Sequence, residues 1–211
     1  MGTIKKGILG GFSGKVGTVV GGSWKGISYM RSLPQKVKNP RTAGQVSQRS
    51  KFSLALNLLK PMTAFLRTGW KLYSHRQSPI NAAMSYTLAN AITGVYPGHQ
   101  IDASKVLVSR GALAPAVNGA AAVAGGNLVF SWDDNSGTGS AKATDKALIA
   151  VVNLIKAEAV TVTAGEERST ETQSIALPAD WSGDEVHAYL GFISEDGKEV
   201  ANSVYLGAIN V

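Results

Sequence analysis

Apolar residues are spaced in three different ways along the chain. Through the first 34 positions they come in short pieces punctuated by Gly7, Gly10, Gly11, Gly14, Gly17, Gly21, Gly22 and Gly26. Residues 16–20 and 27–31 read there as short strands, with turns near Gly21-Gly22 and Lys25-Gly26. Short strands broken by glycine bury little by themselves. This arm is therefore expected to need an outside sheet or another chain for support.

The spacing changes after Pro34. Residues 34–41 form an extended basic connector, because Pro34 and Pro40 push the residues before them out of the helical region. Thr42 then offers an N-cap for a helix through Leu59, with Val46, Phe52, Leu56 and Leu59 at helical spacing. Pro61 suits the first turn of a second helix from Met62 to Tyr73, with Phe65, Leu66, Trp70 and Tyr73 on its apolar side. Ser78-Pro79 repeats the cap-then-proline pattern and opens a third helix through Ile92, marked by Ile80, Met84, Leu88 and Ile92. Residues 93–98 end it in a turn.

From Lys105 the pattern is that of β-structure. Residues 106–108 read as a strand and 114–126, rich in Ala, Gly, Pro and Asn, as a linker. Strands follow at 128–132, 147–153, 159–163, 174–177, 186–193 and 203–209, at the spacing of a sandwich. Their connections carry turn residues: Asp133 to Gly137, Ala164-Gly165, Pro178 to Asp180 and Glu195 to Gly197. The fold class expected is α+β: a Gly-rich β-arm over 1–34, a basic helical region over 35–101, and an immunoglobulin-like antiparallel β-sandwich over 102–211.

Two resemblances accompany this reading. The stretch from Asn127 to Val211 resembles a fibronectin type III or related immunoglobulin-like domain. It does so through Leu128 to Trp132, the Tyr-bearing strand Val186 to Phe192, and Asn202 to Leu206. A first strand is missing from that match, and residues 105–113 are the candidate for it. The whole chain also resembles an uncharacterised bacterial family, a domain of unknown function of about this size. Gly10 to Gly26, Tyr29 to Arg31, Asn39 to Thr42 and Gln45 through Phe52 carry that likeness. It implies no activity and no catalytic residue. The order of parts is similar to phage-like or filament-like structural proteins.

Charge adds a division that hydropathy does not show. From Met1 to Ile101 there is no Asp or Glu, against 14 Lys and Arg. From Asp102 onward there are 7 basic and 14 acidic residues. The net charge of +7 is thus the sum of a half at +14 and a half at −7. Like charges at that density repel unless something compensates them. Nucleic-acid phosphates, an anionic surface, or the acidic half of the same protein would each do so. With no Cys in the chain, disulfides and thiolate chemistry are excluded. Lys5-Lys6 before Ile8-Leu9 does not open a signal peptide, because Gly10, Gly11, Ser13, Gly14 and Lys15 interrupt the apolar run. Lys6 stands where a myristoylation motif has Ser or Thr. The expectation is cytoplasmic synthesis, with any extracellular or virion destination reached by another route.

Candidate chemistry is sparse. Gly10 to Lys15 suggests a phosphate loop, but Leu9 replaces its first glycine and Val16 its Ser or Thr. A glycine-rich turn between strands is the simpler reading. His75, His99 and His187 are far apart and have no helical-spacing partners. The acidic pairs Asp133-Asp134, Glu166-Glu167, Asp184-Glu185 and Glu195-Asp196 fall in turns and read as solvated. Neither cofactor nor metal is expected, and no enzyme activity. Trp181 is the aromatic residue that would support a carbohydrate-binding role for the sandwich loops.

Phe65, Trp70 and Tyr73 read as core, whereas Trp24 and Tyr29 lie on an arm with little core and read as interface, where Trp and Tyr often dominate association. The function expected is a structural protein assembling head-to-tail into a filament, fibre or virion-like array. Its N-terminal strands would contact the next copy through Val16, Val19, Val20, Trp24, Lys25, Tyr29, Arg31, Lys36, Lys38 and Arg41. The alternative is a nucleic-acid-associated protein using the acid-free half.

Overall fold

The computed structural model describes the chain except for residues 1, 5, 6, 8, 9, 25, 36–38, 40 and 76. It divides into two compact units, residues 1–42 and 43–211.

The first unit is a four-stranded antiparallel sheet. Strands β1 (Thr3–Ile4), β2 (Phe12–Val16), β3 (Val19–Trp24) and β4 (Ile27–Ser32) follow one another in chain order. A two-residue turn at Gly17-Thr18 joins β2 to β3, and Gly26 lies between β3 and β4. Gly17, at φ 59°, and Gly26, at φ 86°, both take the left-handed geometry that tight hairpins require. This corrects the strand expected over 16–20: the turn is at Gly17-Thr18, and Gly21-Gly22 lie inside β3. Their lack of a side chain serves close approach, since a Cβ on Gly21 would collide with Phe12 and one on Gly22 would press on the Tyr29 ring.

The second unit places three helices against a β-sandwich. Helix α1 (Ala43–Leu59) starts directly after Thr42. Helix α2 (Thr63–Gly69) is followed by a single 3₁₀ turn over Lys71–Tyr73. Helix α3 (Pro79–Asn90) is capped by the Ser78 hydroxyl, which accepts from the Asn81 N–H at 3.3 Å. It ends before Ile92, which pairs instead with Ile101 in the two-residue strands β5 (Ile92–Thr93) and β6 (Gln100–Ile101).

The sandwich strands are β7 (Val117–Ala124), β8 (Asn127–Asp133), β9 (Lys146–Asn153), β10 (Glu158–Val162), β11 (Thr172–Ala176), β12 (Glu185–Ile193) and β13 (Val204–Asn210). They form a three-stranded sheet in the order β11-β8-β7 and a four-stranded sheet in the order β10-β9-β12-β13. This is an immunoglobulin-like arrangement. The first strand comes from the segment that reads as a linker. β7 is alanine-rich, with low strand propensity, and is held by its pairing to β8 from Ala120↔Ser131 to Ala124↔Asn127. Residues 106–108 are not a strand. Val106 and Val108 are buried in the helical core, and the Val108 N–H donates to the Ser203 hydroxyl at 2.9 Å.

Two cores share the four-stranded sheet. Leu128, Phe130, Trp132, Ile149, Val151, Leu190 and Phe192 fill the space between the sheets. Leu148, Ala150, Val152 and Tyr189 point the other way and meet Leu58, Leu59, Phe65, Leu66 and Trp70 of the helical layer. β9 is therefore covered on both faces, which accounts for its unbroken apolar run from Ala147 to Val152. The charge change at Asp102 falls within this packed unit. Arg110 from the acidic half stacks over Tyr73 at 4.5 Å, and the Tyr189 hydroxyl donates to the Ala103 carbonyl at 2.9 Å.

Candidate assembly interface

The arm sheet departs from ordinary globular packing. Among its described residues only Gly21 is buried, and the larger side chains are at best half-buried, as Phe12 and Val20 are. Ile27 is 68% exposed, Met30 71%, Trp24 65% and Tyr29 45%. Val16, Val19 and Ile4 are exposed as well.

Strand register sorts these side chains onto two faces. Cross-strand partners share a face, and successive residues alternate. The pairs Lys15↔Val20↔Arg31, Gly22↔Tyr29 and Trp24↔Ile27 define one face, which carries both cations and both exposed aromatics. Val16↔Val19↔Ser32 and Gly14↔Gly21↔Met30 define the other, on which these residues bring no charge. β4 lies at the edge of the sheet, presenting a row of main-chain donors and acceptors that can template pairing with a further strand.

The residues expected at an interface are thus partly brought together. Val20, Trp24, Tyr29 and Arg31 share the cationic face, and Val16 and Val19 lie on the opposite one. Arg41 is exposed in the connector, with φ 47°. Lys25, Lys36 and Lys38 lie outside the described residues. Three exposed residues of these two faces were missed. Ile27 and Met30 extend the apolar surface on either face, and Lys15 completes the cationic row. The glycine at position 26 held the signal, because the hairpin it marks has the register that puts Ile27 beside Trp24.

Elsewhere the candidate chemistry resolves into structure. The Gly10–Lys15 run leads into β2 and not into a helix, so no helix N-terminus stands behind it to receive a phosphate. Trp181 is buried, and its indole N–H donates to Glu158 Oε2 at 3.0 Å, which removes the aromatic that favoured a carbohydrate site. Phe65 and Trp70 are core, whereas Tyr73 is exposed beside Arg110.

Sequence distance concealed two polar pairs. Ser47 Oγ lies 3.0 Å from His99 Nε2, and His99 Nδ1 lies 3.2 Å from the Gly94 carbonyl. In the neutral ring, Nδ1–H donates to that carbonyl and Nε2 accepts from the serine. The third member is a carbonyl and not a carboxylate, so it supplies no charge to stabilise an imidazolium. The pair fastens the loop after β5 to α1.

Arg168 and Asp145 form a fully buried ion pair at 3.2 Å. The Arg168 guanidinium also donates to the Ala114 carbonyl at 3.0 Å and to Asn135 Oδ1 at 2.5 Å, and stacks 3.8 Å over the Phe192 ring. Burial lowers the Arg168 pKa, opposed by Asp145. The network fastens the residues before β7 and the loops after β8 and β10 to one end of the sandwich. His187, half-buried beside Tyr205 (Nδ1 to hydroxyl, 2.9 Å), is lowered by desolvation against a weaker upward pull from Glu185. Among the described residues no three of His, Asp and Glu gather as metal ligands would, and no helix is long and apolar enough to cross a membrane.

By its fold the molecule is an immunoglobulin-like sandwich protein with a helical layer and a basic, sparsely buried β-arm. Its sequence belongs to a family of unknown function, DUF6266, which matches residues 11–207. That span covers most of the arm, all three helices and nearly all of the sandwich. No curated protein and no solved structure matches the chain.

Proposed function

We propose that this protein is a non-enzymatic structural subunit that self-assembles head-to-tail through its N-terminal sheet. The supporting observation is that the arm exposes its apolar side chains on both faces while burying almost none. A unit of 42 residues is near the size below which disulfides, metals or oligomerisation usually complete the fold, and this chain has no Cys. Covering Met30 or Val16 with a neighbour contributes about 1.5–3 kcal/mol each. The open edge of β4 adds main-chain pairing in the manner of β-augmentation. The opposite net charges of the two halves disfavour arm-to-arm contact and favour arm-to-sandwich contact. A heterologous contact of that kind propagates when its rotation does not close.

Sedimentation velocity over a wide concentration range tests the reading. Growth of the full chain with concentration is expected, as is its loss in Met30→Glu and Val16→Glu, which introduce charge beside Val19 and Gly21. A full chain that stays monomeric throughout that range overturns the proposal.

A further inference from the structure

We infer that the cationic face of the arm sheet is a binding platform for single-stranded nucleic acid. The inference uses the face opposite Met30 and does not depend on assembly.

Single-strand sites combine cations that follow the backbone with aromatic rings on which bases stack, and this face has both in register. Lys15, Val20 and Arg31 form one cross-strand row, with cations on β2 and β4 flanking a valine. The next row is Gly22↔Tyr29 and the next Trp24↔Ile27. Rows on one face are about 7 Å apart along a strand, and diagonal neighbours at about 7–8 Å lie within reach of aromatic side chains. Tyr29 and Trp24 are such diagonal neighbours.

Glycine at position 22 shapes the platform. The Tyr29 ring leans over it, with the phenol end so close that an added Cβ would be 3.0 Å from Cζ. One side of the ring is thereby seated on the β3 backbone while Tyr29 remains 45% exposed. Trp24, next to the hairpin turn, is 65% exposed. Exposed aromatic rings on the same face as cations contribute nothing to a core here, but they are what base stacking requires. The surrounding sequence carries no carboxylate for 101 residues, so no anionic side chain of that segment opposes phosphate. A duplex presents its bases stacked and paired and would meet the cations alone.

The molecule contains its own reporter. Trp70, Trp132 and Trp181 are buried, so quenching of tryptophan emission by a stacked base reads Trp24. The full chain is titrated with a single-stranded oligothymidine, following emission and the anisotropy of a labelled strand from about 50 to 200 mM salt, the range over which phosphate contacts lose affinity. Binding with quenching is expected. Trp24→Ala and Tyr29→Ala should each weaken affinity roughly 5- to 150-fold, the equivalent of about 1–3 kcal/mol per stacked base. Lys15→Gln and Arg31→Gln should each reduce the salt slope by about 0.7. Met30→Gln, on the other face, should leave affinity and slope unchanged.

Three results overturn the inference. One is no binding at the lowest salt. A second is binding of heparin or duplex as tight as that of the single strand, without quenching, which shows polyanion attraction alone. The third is Trp24 emission that is already shielded in the protein alone and unresponsive to oligonucleotide, which places a second copy on this face. Loss of assembly in Met30→Glu with oligonucleotide binding intact separates this inference from the assembly proposal.

Discussion

The arm sheet and the four-stranded sheet of the sandwich are built from the same number of antiparallel strands and have opposite fates. In the sandwich, β9 is buried along nearly its whole length, with Leu148 facing helices and Ile149 facing the second sheet. In the arm, β4 is exposed along its whole length, Ile27 and Met30 included. Apolar content does not separate them, since both strands carry bulky apolar residues. What differs is the number of layers the rest of the chain supplies. A sheet becomes a core only when another layer covers it, and the second unit has two covering layers for its central sheet.

The largest way to sharpen that contrast is the buried ion pair that fastens the covered sandwich. Arg168→Leu leaves Asp145 charged and enclosed, and should cost about 3–5 kcal/mol in urea-induced unfolding. An unchanged midpoint would show that the pair carries none of the sandwich's stability. The next test compares opposite faces of one strand. Leu148→Ala and Ile149→Ala should each cost about 2–5 kcal/mol, because each removes a buried side chain from a different core. A loss confined to Ile149 would show that the helical layer does not act as a core.

A smaller effect comes from His187, on the sandwich. Burial holds its folded pKa below the unfolded value near 6.5, so the unfolded chain takes up the proton first as pH falls. Stability from this group is complete above the unfolded value. It declines as pH drops through the window between that value and the depressed one, and is level below it. His187→Gln should remove that part of the pH slope in urea titrations between pH 7 and 5. An identical slope in the variant would assign the dependence elsewhere. The smallest effect belongs to the arm. Met30→Gln should shift the unfolding of residues 43–211 by no more than about 0.5 kcal/mol, where a similar exchange in β9 would be severe. A large loss would mean that the arm supports the second unit.

Much of the second unit is legible in residue order, and the exceptions are instructive. Helix α3 follows from Ser78-Pro79 and its spaced apolar residues. The strands from β8 to β13 follow from apolar runs bounded by turn residues. β7 escaped because alanine gives a weak strand signal, and its place depends on the neighbouring β8. Residues 106–108 looked like a strand because valines favour one, yet they lie in the helical core as irregular chain. Trp181 looked available in a loop but is enclosed. In the arm, glycine marked every break without saying which was a turn. Gly17 and Gly26 turn, whereas Gly21 and Gly22 make room for Phe12 and Tyr29.

The division between a basic, acid-free front and an acidic back is written in the residues, as are the helix starts, the turn-bounded strands and the family to which the chain belongs. These are local or compositional properties, decided by neighbours in sequence. Tertiary structure alone decided that the sandwich's central sheet has two buried faces, that Arg168 meets Asp145 and Ser47 meets His99, and that Lys15, Trp24, Tyr29 and Arg31 share one side of the arm. Those are matters of register and layering. Each joins residues distant in sequence, and a slip of one position in a strand would turn every one of its side chains to the other face.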